Sequence, residues 1–215
     1  MSLIHRAQLT PTKRELIAEW LPSRPWSRNA PAGQAELIGA YRFDDPSGAV
    51  GIETHLVRTG DAQVLQVPLT YRGAPLAGAE DFLVGTTEHS VLGRRWIYDG
   101  CGDPVYGAVL ATAILAGGRE AEEWVEQADG RSERREPAVR VVGSGTPGVE
   151  APSVDSVSAV DDATTTTVGA SGLELVVRRV LGGLTHVDGD VETLTGTWPG
   201  SAEPTSLAYA RRRPS

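Results

Sequence analysis

Apolar residues recur at helical spacing near the start of the chain and predict a first helix over residues 10–21. Thr12 followed by Glu15 resembles a capping box, and Pro22 ends the helical pattern. The apolar positions fall on one face of such a helix and are Leu16, Ile17, Trp20 and Leu21. This stripe predicts that the helix packs against an apolar surface elsewhere in the chain.

Alternating apolar and polar positions follow and predict strands rather than helices. The third of these segments, residues 63–72, places Leu65, Val67, Leu69 and Tyr71 on one face. Turn residues separate the segments, which indicates an antiparallel meander with a fourth strand to come. The predicted strands cover residues 36–44, 49–58, 63–72 and about 89–98.

A second helix is predicted after Asp103, which is a good N-cap and precedes Pro104 at the first helical position. Gly117 and Gly118 end this helix, and we expect it to pack against the same sheet as the first. The highly charged segment 119–136 predicts a short exposed helix before a linker around residues 129–130.

Beyond residue 136 the composition changes to Val, Thr, Gly and Ser, and short strand-like runs alternate with turns. These runs are residues 138–143, 153–160, 163–169, 173–181, 190–198 and 205–211. The predicted fold class is therefore α+β, with a curved antiparallel sheet and two packed helices, followed by a second small β-rich unit. The predicted domains are residues 1–130 and 137–215.

Charge and composition exclude several classes of protein. A net charge of −8 argues against nucleic-acid binding, which needs a basic face. The single cysteine, Cys101, excludes an internal disulfide framework. The chain lacks an apolar leader and an apolar run long enough to cross a membrane, so we expect a cytoplasmic protein that does not bind membranes.

Polar and aromatic chemistry is concentrated in residues 81–104. The candidate residues for binding a ligand or partner are Glu88, His89, Arg94, Arg95, Trp96 and Asp99. One interpretation is structural: Arg95 or Arg94 pairs with Asp99 or Glu88, Trp96 fills the seam between sheet and helix, and Asp103 caps the helix. A second is binding, because arginine forks and a tryptophan face suit a carboxylate, phosphate or sugar. A third is catalysis, although adjacent Glu88 and His89 on a strand would point to opposite faces.

Other catalytic patterns are missing from the sequence. It contains neither a phosphate-binding glycine loop nor the G-x-S-x-G pentapeptide of serine hydrolases. The four histidines lack metal-ligand spacing and are His5, His55, His89 and His186. We therefore expect no catalytic residue, no metal and no cofactor.

The segment Trp20-Leu21-Pro22-Ser23-Arg24-Pro25-Trp26 resembles the signature that opens maltokinases and related actinobacterial sugar kinases. The following meander, with Val67-Pro68-Leu69-Thr70-Tyr71-Arg72, then Tyr98-Asp99 and the helix at Asp103-Pro104, continues in the order of their N-terminal cap. The resemblance covers residues 10 to about 125. The second unit resembles, more faintly, the kinase N-lobe that follows the cap, from Val139 to Trp198.

This resemblance implies a sugar kinase whose catalytic groups are missing. Such kinases need a strand lysine for the nucleotide phosphates, a catalytic aspartate and a magnesium ligand. The lysine position falls near Arg178, and Lys13 is the only lysine of the chain. The resemblance thus implies a non-catalytic binding or regulatory protein, linked to glycogen, maltose or trehalose metabolism, whose partner is a protein or a small polar ligand such as a sugar or phosphate. Two alternatives stay open: half of a split kinase completed by another chain, and an enzyme that uses the surface from Glu88 to Asp103. The oligomeric state is not predicted.

Overall fold

The computed structural model describes residues 2–4, 8–27, 35–60, 63–126, 132–170, 172–182, 191–201 and 203–212. The described residues contain two α-helices, α1 (Lys13–Trp20) and α2 (Pro104–Leu115). Among the predicted features, His5, His186 and the linker at residues 129–130 lie outside these ranges. None of the described helices is long and apolar enough to span a bilayer.

The remaining regular structure consists of short to medium strands. In chain order they are β1 (Ser2–Ile4), β2 (Leu9–Thr10), β3 (Ala35–Phe43), β4 (Gly51–Thr59), β5 (Gln63–Arg72), β6 (Leu83–His89), β7 (Gly93–Asp99), β8 (Glu123–Glu126), β9 (Ser132–Arg135), β10 (Arg140–Gly143), β11 (Ser158–Asp161), β12 (Thr165–Ala170), β13 (Leu173–Arg178), β14 (Val180–Leu181), β15 (Glu192–Thr197) and β16 (Thr205–Arg212).

The first sheet is curled and antiparallel, with strand order β2-β6-β7-β5-β4-β3. Its strands β3, β4 and β5 match the predicted meander to within about two residues at each end. The predicted fourth strand over residues 89–98 is wrong in extent, because this part of the chain is the hairpin β6–β7. Gly93 follows the hairpin turn with a φ of 70°, a conformation that glycine adopts without steric cost.

Helix α1 covers the apolar face of this sheet, as its stripe predicts. The Thr12 hydroxyl accepts a hydrogen bond from the Glu15 amide, and the Glu15 carboxylate accepts one from the Thr12 amide, so the capping box is present. The buried side chains of the helix pack with sheet residues in one cluster that includes Val57, Leu65, Val67, Leu69 and Ile97.

The second sheet confirms the β-rich prediction for the C-terminal part. It is antiparallel, with order β10-β15-β16-β13-β12-β11. The predicted exposed helix within residues 119–136 is wrong, because this segment contributes strands β8 and β9 to a third, small sheet. Strand β8 pairs in parallel with β1 and in antiparallel with β9, so partners from distant sequence override the local charge pattern.

Helix α2 packs against the first sheet, as predicted, and it also packs against the second sheet. Buried residues occur on several sides of this helix, which is typical of a helix enclosed by other elements rather than lying on a surface. Tyr106 and Leu110 share one apolar cluster with Tyr41 and Leu56 of the first sheet and with Leu175 of the second. Helix α2 therefore contributes to a core that both sheets share.

Contacts between the two predicted domains extend beyond this core. Strand β14 follows β13 of the second sheet in the chain, but it pairs with β5 of the first sheet, with Val180 opposite Leu65. The Gln66 side-chain amide donates to the carbonyl oxygens of Arg178 and Leu207, at 2.9 Å each. The division into domains at residues 130 and 137 stays a prediction, and the sheets on its two sides are joined by main-chain and side-chain hydrogen bonds.

A backbone contact between α2 and β10 leads to the first testable prediction. A Cβ atom on Gly143 would lie 1.9 Å from the Ala113 carbonyl oxygen. We therefore expect Gly143→Ala to lower the free energy of unfolding by about 1 to 3 kcal/mol, the usual range for forced overpacking. Urea denaturation would measure this. The matched control is Gly51→Ala, whose Cβ would meet the Tyr71 side chain at an ordinary 3.4 Å. Equal stability of the two variants would contradict the close approach of α2 and β10.

Candidate functional site

The hairpin β6–β7 separates the predicted site residues into two groups. Glu88 is the cross-strand partner of Arg94, and Trp96 follows two residues later on the same face. His89, Arg95 and Asp99 alternate with these residues and lie on the opposite face. The candidate residues therefore form no single constellation, and Glu88 and His89 point apart as predicted.

Arg94 and Trp96 form the polar and aromatic part of the outer face. The Arg94 guanidinium carbon lies 5.4 Å from the centre of the Trp96 ring, within the range of a cation–π contact. Arg94 is exposed, whereas Trp96 is half-buried and is not a member of either apolar core cluster. The structural interpretation assumed that Trp96 fills a seam between sheet and helix. Trp96 does not lie in such a seam.

The turn of the hairpin is fixed by hydrogen bonds to the side chains of His89 and Ser90 and to the backbone of Gln8. The Nδ1 atom of His89 accepts hydrogen bonds from the amides of Val91 and Leu92, at 3.2 and 3.0 Å. The Ser90 hydroxyl accepts from the Gln8 amide, and the Ser90 amide donates to the Gln8 carbonyl, both at 3.0 Å. Two aliphatic side chains remain outside this network and are largely exposed, Val91 at 60% and Leu92 at 50%. The turn thus presents an ordered apolar tip to solvent.

Asp103 is fully buried and is held by several donors. The Arg72 guanidinium binds both of its carboxylate oxygens at 2.7 Å, in the forked geometry that arginine favours. The Thr70 hydroxyl donates to the same carboxylate, and the Val105 amide donates to Oδ1 of Asp103, which is the predicted N-cap. The hydrogen bond to Asp103 raises the pKa of Arg72, so Arg72 stays protonated at neutral pH.

Asp99 is likewise buried, and its partner comes from the second half of the chain. A carboxylate oxygen of Asp99 accepts a hydrogen bond from Arg179 at 2.5 Å, and the Cys101 amide donates to the other oxygen. Arg179 also donates to the Thr166 hydroxyl, and its guanidinium lies 4.7 Å from the Trp26 ring centre. Burial opposes the charge, but Asp99 raises the pKa of Arg179 and keeps it protonated.

The arginine partners of both aspartates were not predicted, because the structural interpretation offered Arg95 or Arg94 as the partner of Asp99 or Glu88. Strand alternation offered a signal for Arg179: it shares a face with Val177 in an apolar run, so its side chain points inward. No comparable pattern in the sequence indicated that Arg72 pairs with Asp103.

The remaining predicted residues lie in unrelated places. The Arg95 guanidinium lies over Gly73, where a Cβ atom would come within 2.7 Å of Nη1. Arg178, at the predicted position of the nucleotide lysine, is half-buried, and its Nε atom is buried without a hydrogen-bond partner. No group of three histidine, cysteine, aspartate or glutamate side chains that could hold a metal ion occurs in the part of the chain that the structure describes.

Comparison with known proteins bears on the cap resemblance. Residues 20–103 match the family model of the maltokinase N-terminal cap domain. A search of curated proteins finds no relative. The match begins at Trp20 and ends at Asp103, so it includes the hairpin β6–β7 and the Arg72–Asp103 pair, whereas Arg179 and the second sheet lie beyond it. Residues 20–103 are thus similar to the maltokinase N-terminal cap domain, in agreement with the resemblance predicted from the Trp-Leu-Pro segment and the order of its strands.

Proposed function

We propose that this chain is a non-catalytic binding module related to the N-terminal part of maltokinase. It binds a small anionic sugar, a ligand of the sugar and phosphate class, on the outer face of the hairpin β6–β7. The observation that supports this function is the exposed Arg94 side chain, whose guanidinium carbon lies 5.4 Å from the centre of the Trp96 ring. An arginine supplies paired donors for a phosphate or carboxylate, and an adjacent aromatic surface suits a sugar ring.

The state of the two aspartates supports a binding role over a catalytic one. Asp99 and Asp103 are the buried carboxylates of the segment from Glu88 to Asp103, and arginines bind both of them. A general base needs a carboxylate that can reach a substrate proton, within about 2.6–3.2 Å. Carboxylates enclosed by Arg179 and Arg72 serve the fold instead. The exposed face of the hairpin therefore binds a ligand and does not catalyse a reaction.

The match to the maltokinase cap supports the rest of the proposal. It favours a role close to maltokinase chemistry, and so a link to glycogen, maltose or trehalose metabolism in the cytoplasm of an actinobacterium. The same match supports a second candidate, half of a sugar kinase that another chain completes. That candidate requires affinity for magnesium–ATP, whereas the binding module does not.

The test is an NMR titration of the labelled chain with glucose 6-phosphate, glucose, inorganic phosphate and magnesium–ATP. We expect glucose 6-phosphate to shift the amide signals of residues 88–96. Arg94→Ala should weaken this binding by about tenfold or more, because a hydrogen bond to a charged group contributes about 1.5–3 kcal/mol. The matched control is Arg58→Ala, which removes a half-buried arginine that is paired with Glu36 on the first sheet.

A parallel assay follows phosphate release from magnesium–ATP with and without maltose, glucose or glucosamine. We expect no sugar-dependent turnover by the wild-type chain or by Arg178→Lys, because one phosphate contact cannot replace a catalytic base and a metal site. Turnover by the wild-type chain would contradict the non-catalytic proposal. Binding of magnesium–ATP without turnover would favour the split kinase, and no shift at residues 88–96 with any sugar or phosphate would remove the hairpin as the site.

A further inference from the structure

The outer face of the hairpin β6–β7 carries two opposite charges that lie side by side without forming an ion pair. Glu88 on β6 is directly opposite Arg94 on β7, and both residues are exposed. Side chains at such positions have their Cβ atoms about 5 Å apart, so a carboxylate and a guanidinium can reach each other there. Within the described ranges, however, the Glu88 carboxylate forms neither an ion pair nor a hydrogen bond.

Arg94 contacts an aromatic ring instead of the carboxylate. Its guanidinium carbon lies 5.4 Å from the centre of the ring of Trp96, two residues further along the same strand. An exposed salt bridge and an exposed cation–π contact contribute similar, small free energies, so neither arrangement is strongly preferred. The fold therefore leaves the Glu88 carboxylate available to a ligand, while Arg94 stays beside the Trp96 ring.

The row of polar side chains continues onto β2. Thr10 is the cross-strand partner of Glu88, so Thr10, Glu88 and Arg94 lie in a line across three neighbouring strands. Thr10 is exposed, and its hydroxyl forms no hydrogen bond with any residue that the structure describes. Thr86 and Trp96 form the next row on the same face. A carboxylate, a hydroxyl, a guanidinium and an aromatic ring thus share one patch of the sheet.

The groups of this patch require different groups from a ligand. A carboxylate only accepts hydrogen bonds, a guanidinium only donates them, and a hydroxyl does both. A ligand that satisfies them all carries an anionic group for Arg94 and hydroxyl groups for Glu88. A bare anion satisfies Arg94 alone, and the negative charge of Glu88 next to it opposes the binding of such an anion.

We propose that Glu88 determines the specificity of the hairpin site: its carboxylate accepts hydrogen bonds from the hydroxyl groups of a sugar, while Arg94 binds the phosphate group of the same molecule. Thr10 adds a weaker, neutral hydrogen bond to the sugar. The site therefore takes a sugar phosphate in preference to a simple phosphate. This inference rests on the proposed function, because it requires that an anionic sugar binds to the hairpin.

A comparison of two phosphate monoesters separates the two effects of Glu88. Repulsion between Glu88 and the phosphate group acts alike on glucose 6-phosphate and on methyl phosphate, because both carry the same kind of charged group. Hydrogen bonds from sugar hydroxyls to Glu88 form with glucose 6-phosphate alone. The ratio of the two dissociation constants therefore cancels the repulsion and measures the contacts of Glu88 with the sugar.

The test is an NMR titration of the intact chain with each monoester, for the wild type, Glu88→Gln and Thr10→Val. We expect the wild type to bind glucose 6-phosphate more tightly than methyl phosphate. Glu88→Gln should reduce this preference by about five- to tenfold, because hydrogen bonds to a charged group are the stronger ones. Its affinity for methyl phosphate should stay the same or rise. Thr10→Val should reduce the preference by about threefold. The matched control is Glu192→Gln, which removes an exposed glutamate on β15 and should change neither affinity.

The outcomes distinguish this inference from the proposed function. If both monoesters bind and Arg94→Ala weakens them, but Glu88→Gln keeps the wild-type preference, Glu88 does not bind the sugar and this inference alone is overturned. A wild-type chain that binds both monoesters equally would overturn it as well, without the need for a variant. If neither monoester shifts the amide signals of residues 88–96, the proposed function fails and this inference fails with it.

Discussion

Replacing Arg179 by alanine is expected to lower the free energy of unfolding by about 3 to 5 kcal/mol, the range found when one member of a buried ion pair is removed. The Arg179 side chain is fully buried, and its loss leaves the Asp99 carboxylate without its 2.5 Å partner. The change also removes the cation–π contact with Trp26 and the hydrogen bond to Thr166. Urea unfolding followed by tryptophan fluorescence would measure the loss.

Arg178→Ala is the matched control, because it deletes the neighbouring arginine. Arg178 is half-buried, and its contact with Gln66 is made by its backbone carbonyl, which the substitution keeps. We expect this variant to lose no more than about 1 kcal/mol. The double variant Arg179→Leu with Asp99→Leu should recover part of the stability, since removing both charges leaves no unpaired ion. If the two single variants proved equally stable, the placement of Arg179 in the core would be wrong.

Trp20→Ala is expected to have an effect of similar size, about 3 to 5 kcal/mol, as is usual for an aromatic residue removed from a core. Trp20 is 7% exposed on the buried stripe of α1, and its ring meets that of Trp26 edge to face, with 5.6 Å between their centres. The midpoint of urea unfolding would shift accordingly.

Trp96→Ala offers the comparison for the same residue type outside the core. Because Trp96 is half-buried on the hairpin, we expect less than half the loss found for Trp20→Ala. A Trp20→Ala variant as stable as the wild type would mean that α1 does not pack on the sheet through this face.

The spacing of apolar residues predicted the helices and strands that pack one face against a core. The stripe of α1, the alternation of β5 and the N-cap at Asp103 are local patterns, and the structure confirms each of them. Pairing partners are not local. Strand β8 owes its structure to β1, more than a hundred residues earlier, so its charged sequence alone favoured a helix. The position of α2 between two sheets likewise depends on elements that come much later in the chain.

The polar clusters were less accessible to sequence reasoning than the fold. Between α1 and the first sheet, Glu53 and His55 lie two residues apart on one strand, which placed them on one face, but Lys13 contacts Glu53 and Tyr71 contacts His55 only through the packing of α1 and the register of β5. The hairpin candidates were found because they are close in sequence. Their division between two faces followed from alternation, yet the arginine partners of Asp99 and Asp103 required the three-dimensional fold.

The pairing of β14 with β5 means that the end of the region matching the cap model and the end of the folded unit fall at different places in the chain. The match to the cap model ends at residue 103. The edge of β5 beside Leu65 is paired with β14, which begins more than seventy residues after that point. Open strand edges invite pairing with other chains. The segment that matches the cap model is therefore shorter than the unit in which the edge of β5 is paired.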